Sequence, residues 1–222
     1  MNGTIFQAGS TAIWSTAASG IWDVDAIWNR QTALCCNSFL AGDVHYDINN
    51  LGFQIMSSAQ TSLLTMDVYR RAGDNFSASG WNNITRANGT RMTNIVVVSS
   101  GASLGPRTHL TVRGNGNMHL SIRGRLTGLG QNGQDVAPTA NWHFAEIEMH
   151  TNPNAYGTGV TDATRRLRAQ HTFTHEVGHA LKLNDITNAN CVTVMRQGNP
   201  VGNTSLTVTN HDRNALRYKW GQ

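Results

Sequence analysis

The stretch HTFTHEVGHALKLND, residues 171–185, places His175 and His179 four apart, with Glu176 beside the first. That spacing has chemical meaning on one kind of backbone. On an α-helix, residues four apart share a face about one turn apart, so both imidazoles can reach a single ion. Glu176 then lies roughly 100° round from His175. It sits beside such an ion, where it can take a proton from a metal-activated water and pass it to a leaving amine. The chain must therefore be helical through 175–179. With nine His and three Glu in 222 residues, H-E-x-x-H arises by chance in roughly one such chain in 200. Two histidines and a glutamate on an ordinary helix are the bland alternative.

A chain of 222 residues is long enough for one sizeable core, or for one domain of two lobes around a cleft. Charged residues make up only 14%, four prolines occur, and no repeat or low-complexity tract is present, which suits a folded, loop-rich protein. The net charge is +4, and 15 of the 17 basic residues are arginine. A basic balance admits nucleic-acid binding. The arginines are scattered, however, and their tightest group, RRLR at 165–168, reads as a solvated helix face. The start, MNGTIFQAGSTAIWSTAASG, has no charged n-region or continuous apolar core and does not read as a signal peptide. No run reaches transmembrane length. Cys35, Cys36 and Cys191 leave at least one thiol over, and a link from Cys191 to either neighbour is open in an oxidising compartment.

Along the chain, residues 1–40 read as an N-terminal segment packed onto the body. GDVHYDI (42–48) alternates and is expected to be a first strand, with a helix within 58–84. TNIVVVSS (93–100) reads as a buried strand. HLTVRG and MHLSIRG, joined by GNGN, read as a hairpin. In HFAEIEMH (143–150), Glu146 and Glu148 alternate with apolar residues as a solvent face. Thr161 or Asp162 can cap a long helix striped by Leu167, Phe173, Val177, Ala180 and Leu181. A short helix starts near Thr209–Asp212, with His211 and Asp212 at its start. The order predicts an α+β fold, a mixed sheet with a small C-terminal lobe.

A catalytic zinc wants a third protein ligand and an open fourth position. No Glu follows Glu176, so the residues leave Asp185, Cys191, His211 and Asp212 as downstream candidates. His171 shares the helix face, but three consecutive rungs span about 12 Å and cannot converge on one ion.

HEVGHALKLND resembles the signature of the metzincin zinc proteases, and its aspartate resembles the snapalysin-like branch. VTVMRQG is similar to that family's Met-turn, and HDRNALRYKWG to the closing helix of small bacterial matrixin-like enzymes. NWHFAEIEMHTN is similar to the strand before their zinc helix, so the resemblance covers about 142–220. It implies a twisted mixed β-sheet with a long zinc-binding helix and a lower lobe bearing the Met-turn and closing helix. It also implies a catalytic domain over 41–222, its upper lobe running to about 180 and its lower lobe from 181. One zinc ion would be held by His175, His179 and Asp185, with Glu176 as general base and then acid, and Met195 beneath. Calcium is admitted as a further ion, but no Asp-rich loop announces it. The implied partner is a protein or peptide substrate lying extended along an edge strand. Neither nucleic acid nor membrane is expected as a partner, and a secreted monomer is.

The family usually has glycine where this chain has Lys182. In an unbroken helix Asp185 would lie about 240° round from His179 and about 9 Å further along. The chain must break between Leu181 and Asn184. Either Lys182 turns left-handed, at a cost of about 1–2 kcal/mol, or Asn184 carries the reversal. The expected activity is zinc-dependent endopeptidase. Its alternatives are a catalytically silent zinc-binding domain of the same fold and, more remotely, a basic nucleic-acid-binding domain.

Overall fold

The computed structural model describes residues 5–8, 11–14, 39–46, 48, 51–77, 95–98, 109–188, 190–197 and 207–220. Two short strands, β1 (Ile5–Ala8) and β2 (Thr11–Trp14), pair antiparallel as a separate ribbon. The main sheet has five strands: β3 (Gly52–Met56), β4 (Ile95–Val98), β5 (His109–Asn115), β6 (Gly124–Leu129) and β7 (Phe144–His150). Their spatial order is β4-β3-β5-β7-β6, parallel throughout except for β6, which runs antiparallel along the edge of β7. Among the described residues three α-helices accompany it: α1 (Met66–Ser77), α2 (Asp162–Ala180) and α3 (Asn210–Trp220). This is the mixed α/β architecture expected at the level of an α+β class.

Central parallel strands are covered on both faces and read as apolar runs. β3 follows that rule, with all five residues buried. β7 alternates instead, burying Ala145, Ile147 and Met149. Its other face is half-buried and charged: Glu146 pairs with Arg113, and Glu148 accepts from Arg125 and Asn115. The two glutamates thus zip strands together as well as face solvent. Helix α2 packs on the sheet through Phe173, whose ring meets Phe53 at 5.2 Å and Tyr69 at 4.9 Å, both edge-on. Burying each such side chain contributes about 1.5–3 kcal/mol.

Two expectations are corrected. Residues 42–46 form no strand; Val44 makes a single bridge to Trp142. The segment is held by Tyr46, whose buried hydroxyl donates to Ala180 O at the end of α2. HLTVRG and MHLSIRG do not form a hairpin either. β7 inserts between β5 and β6, and 118–122 is an exposed turn that returns the chain to the far edge. The expected helix in 58–84 is α1, and its residues 78–84 lie outside the described residues, as does most of the N-terminal segment with Cys35 and Cys36.

Candidate metal centre

Helix α2 starts where its capping chemistry says it should. Thr161 is the N-cap, its Oγ1 accepting from Thr164 N–H at 3.2 Å, with Asp162 in the positive first turn. It ends in a paired reversal. Lys182 N–H donates to His179 O at 2.8 Å and Leu183 N–H to Gly178 O at 3.0 Å, the Schellman pattern. Lys182 takes the left-handed conformation, φ 67°, and is the one non-glycine residue with positive φ among those described. Its side chain is buried. The ammonium donates to Pro138 O (2.9 Å) and Ala140 O (2.7 Å), and stands 3.5 Å over the Trp142 ring. Three attractive contacts thus offset a backbone cost of about 1–2 kcal/mol.

The reversal turns Asp185 back against the helix. His175 Nε2 lies 3.1 Å and His179 Nε2 3.3 Å from Asp185 Oδ1. One potential ligand atom from each lies within 4.8 Å of the others, and this is the one such group among the described residues. The imidazoles are oriented from behind: His175 Nδ1 bonds Val194 O at 2.9 Å and His179 Nδ1 bonds Leu183 O at 2.8 Å. A carbonyl can only accept, so each Nδ1 carries the proton and each Nε2 presents a lone pair. Asp185 Oδ1 is buried with no hydrogen-bond partner. Three electron-rich atoms thus face one another and call for a positive charge between them. Burial alone would lower the His179 pKa, but the facing Asp185 carboxylate and the charge of Glu176 raise it to about 8. Burial opposes ionisation of Asp185, yet the two imidazoles hold its carboxyl well below the usual range.

Glu176 is buried beside this group. Burial raises its pKa most, and the Asp185 charge adds to that. The charges of His179 and His175 and a hydrogen bond with the Leu126 backbone pull the other way. A carboxylate whose proton affinity is lifted suits a group that must pick up a proton and release it. The β6 edge reaches it because Gly124 has no side chain: a Cβ there would lie 3.0 Å from Glu176 Oε1 and 2.6 Å from Thr172 Cγ2.

Beneath the site runs the turn 193–196. Met195 is fully buried, and its Sδ packs so closely on Gly178 that a Cβ at 178 would lie 2.2 Å from it. Asp212, expected only as part of a helix start, does more. Its carboxylate caps α3 through Thr209 N–H (2.7 Å), and also takes Val194 N–H (3.3 Å) and the Thr193 hydroxyl. It ties the turn under Met195 to the C-terminal helix. His211, Asp212 and Cys191 do not join the His175–His179–Asp185 group.

Sequence reasoning passed over Gln197, whose Nε2 donates to Asp185 Oδ2 at 2.8 Å. Its position two residues after Met195 was the available signal. It also passed over Gly124 and Leu126, which only the antiparallel edge brings to Glu176. His171 is outside the group. It lies one turn before His175, ring centroids 6.2 Å apart, with Nε2 buried and without a hydrogen-bond partner. Burial first, then the charges of His175 and Arg123, lower its pKa to about 4. All these residues border one open cleft of about 690 Å³. Residues 121–126 form one side, α2 the floor, and Asp185, Arg196 and Gln197 complete the lining.

No family model matches the chain, and no curated protein matches it. A solved structure described as the GM1 bound form of the ECX AB5 holotoxin aligns over 86% of this chain and 80% of that one, at 13% identity and TM-score 0.40. A likeness that loose carries no argument about fold or function.

Proposed function

We propose that the chain is a zinc-dependent endopeptidase of metzincin type. The observation that carries the reading is Asp185 Oδ1, buried without a hydrogen-bond partner and facing two imidazole nitrogens whose other nitrogens are already committed to carbonyls. Two neutral imidazoles and one carboxylate form a donor set that suits zinc and leaves a fourth position open. His175, His179 and Asp185 would hold the ion. Bound there, zinc would supply a Lewis acid that polarises a scissile carbonyl and brings the pKa of a water toward neutrality. Glu176, positioned by the Leu126 backbone, would take the proton of the attacking water and deliver it to the departing amide nitrogen. Lys182 holds the reversal that returns Asp185 to the site, and Met195 supports the helix from below. A buried base beside the three ligands favours this reading over a silent zinc-binding domain, which has no use for one. The edge strand β6 borders the cleft, as an extended substrate requires.

The test is cleavage of an unstructured protein by wild type and Glu176→Gln, each with and without a zinc chelator. The proposal expects chelator-sensitive cleavage by wild type and a zinc-loaded but inert variant. Equal cleavage by both, or cleavage untouched by the chelator, overturns it.

A further inference from the structure

Resting on the protease reading, we propose that the cleft is built for acidic peptides, with an Asp or Glu side chain of the substrate seated against its arginines. Arg123 and Arg125 border it from the β6 side, and Arg196 from the segment after Met195. Among the described residues, the carboxylates in the lining are Glu176 and Asp185, the first beside the candidate metal group and the second within it. The lining side chains therefore carry one positive charge in excess, and three once a divalent ion is bound. Glu148, outside the lining, pairs with Arg125 and offsets one of these.

The side chains of Arg123 and Arg125 are held in place, so their charge is presented at low entropic cost. Arg123 Nε donates to Ala155 O at 3.1 Å. Arg125 is braced on Glu148, itself largely buried and held by Asn115. Arg196 is half-buried and its backbone bridges Ile186. A guanidinium recognises a carboxylate through paired N–H groups, and a cleft with an excess of positive charge concentrates anions. His171 adds an independent observation. It lines the same cleft, and its Nε2 is buried without a partner. Buried polar atoms are nearly always paired, so this one points to a polar group that a ligand or water brings.

The experiment uses matched ten-residue peptides that differ by Glu, Gln or Lys at one position, scanned across the sequence. Binding to zinc-loaded Glu176→Ala is read by fluorescence anisotropy, and cleavage by wild type as kcat/KM. At one position or more, Glu should exceed Gln by about tenfold, the worth of one charge-assisted hydrogen bond. The gap should narrow with added salt. Arg196→Glu, or Arg125→Glu where the first variant fails to fold, should turn the preference toward Lys. Binding and cleavage indifferent to charge, or favouring Lys in wild type, overturn the inference and leave the protease reading standing. Acid-preferring binding with no cleavage of any peptide does the reverse. Neither binding nor cleavage sinks both.

Discussion

Gln197 and Asp185 divide the labour of one carboxylate. The Gln197 amide holds Oδ2 at 2.8 Å, leaving Oδ1 turned toward His175 and His179. Groups that orient a ligand from behind commonly carry ten- to a hundredfold in metal affinity. Gln197→Ala should weaken zinc binding by about that factor without changing the unfolding midpoint of the metal-free protein. Competition with a zinc-sensing dye measures it, and unchanged affinity would show the hydrogen bond to be incidental.

Gly124 gives a way to disturb the proposed base and spare the proposed ligands. A methyl at 124 meets Glu176 Oε1 at 3.0 Å and Thr172 Cγ2 at 2.6 Å, both ends of side chains that can move. Displacing a catalytic group by about 1 Å costs on the order of a hundredfold. Gly124→Ala should therefore lower kcat by about tenfold to a hundredfold, with zinc affinity kept. Steady-state kinetics beside a zinc titration separate the two.

At Lys182, turn geometry and side-chain chemistry give opposite answers to Lys182→Gly. Glycine relieves a left-handed residue of about 1–2 kcal/mol. It also deletes two hydrogen bonds from an ammonium, each worth about 1.5–3 kcal/mol, and the contact with Trp142. The side chain should win, and the variant should be less stable by about 2–4 kcal/mol. Urea unfolding at neutral pH measures it, and a stabilised variant would mean that the strain outweighs the contacts.

His171 sets an acid limit on stability. Its pKa is lowered from 6.5 to about 4 in the fold, by burial first and then by the charges of His175 and Arg123. Between those values the unfolded chain binds a proton that the folded chain refuses, so stability rises with pH across the window. The contribution is complete above about pH 6.5 and is lost as pH falls toward 4, by at most about 3 kcal/mol. His179, whose pKa is raised to about 8, acts with the opposite sign and in a higher window. Metal-free His171→Gln should lose less stability than wild type between pH 6.5 and 4, as followed by urea unfolding. Parallel curves would contradict the burial argument.

What could be read from the chain divides along a physical line. The helix carrying His175, Glu176 and His179 was legible because spacing on a helix is local, and so was the Thr161 cap. The break before Asp185 was legible as a necessity. Lys182 and Asn184 were both legible as places for it; that the lysine carries it was not, since its partners Pro138, Ala140 and Trp142 lie about forty residues away. GDVHYDI alternates like a strand, yet residues 42–46 make a single bridge and are otherwise a loop, tied down by contacts such as the Tyr46 hydroxyl. Strand β3 was passed over because a run buried on both faces shows no alternation. The false hairpin had the same origin: two alternating segments close in sequence say nothing of a third strand that inserts between them.

The most direct measurement is a zinc titration of the metal-free protein with cleavage of an unstructured substrate followed at each step. Activity should climb in proportion to added zinc and break at one equivalent. Asp185→Ala should need far more zinc to reach any activity. Cleavage that ignores zinc, or a chain that takes up none, would contradict the protease reading.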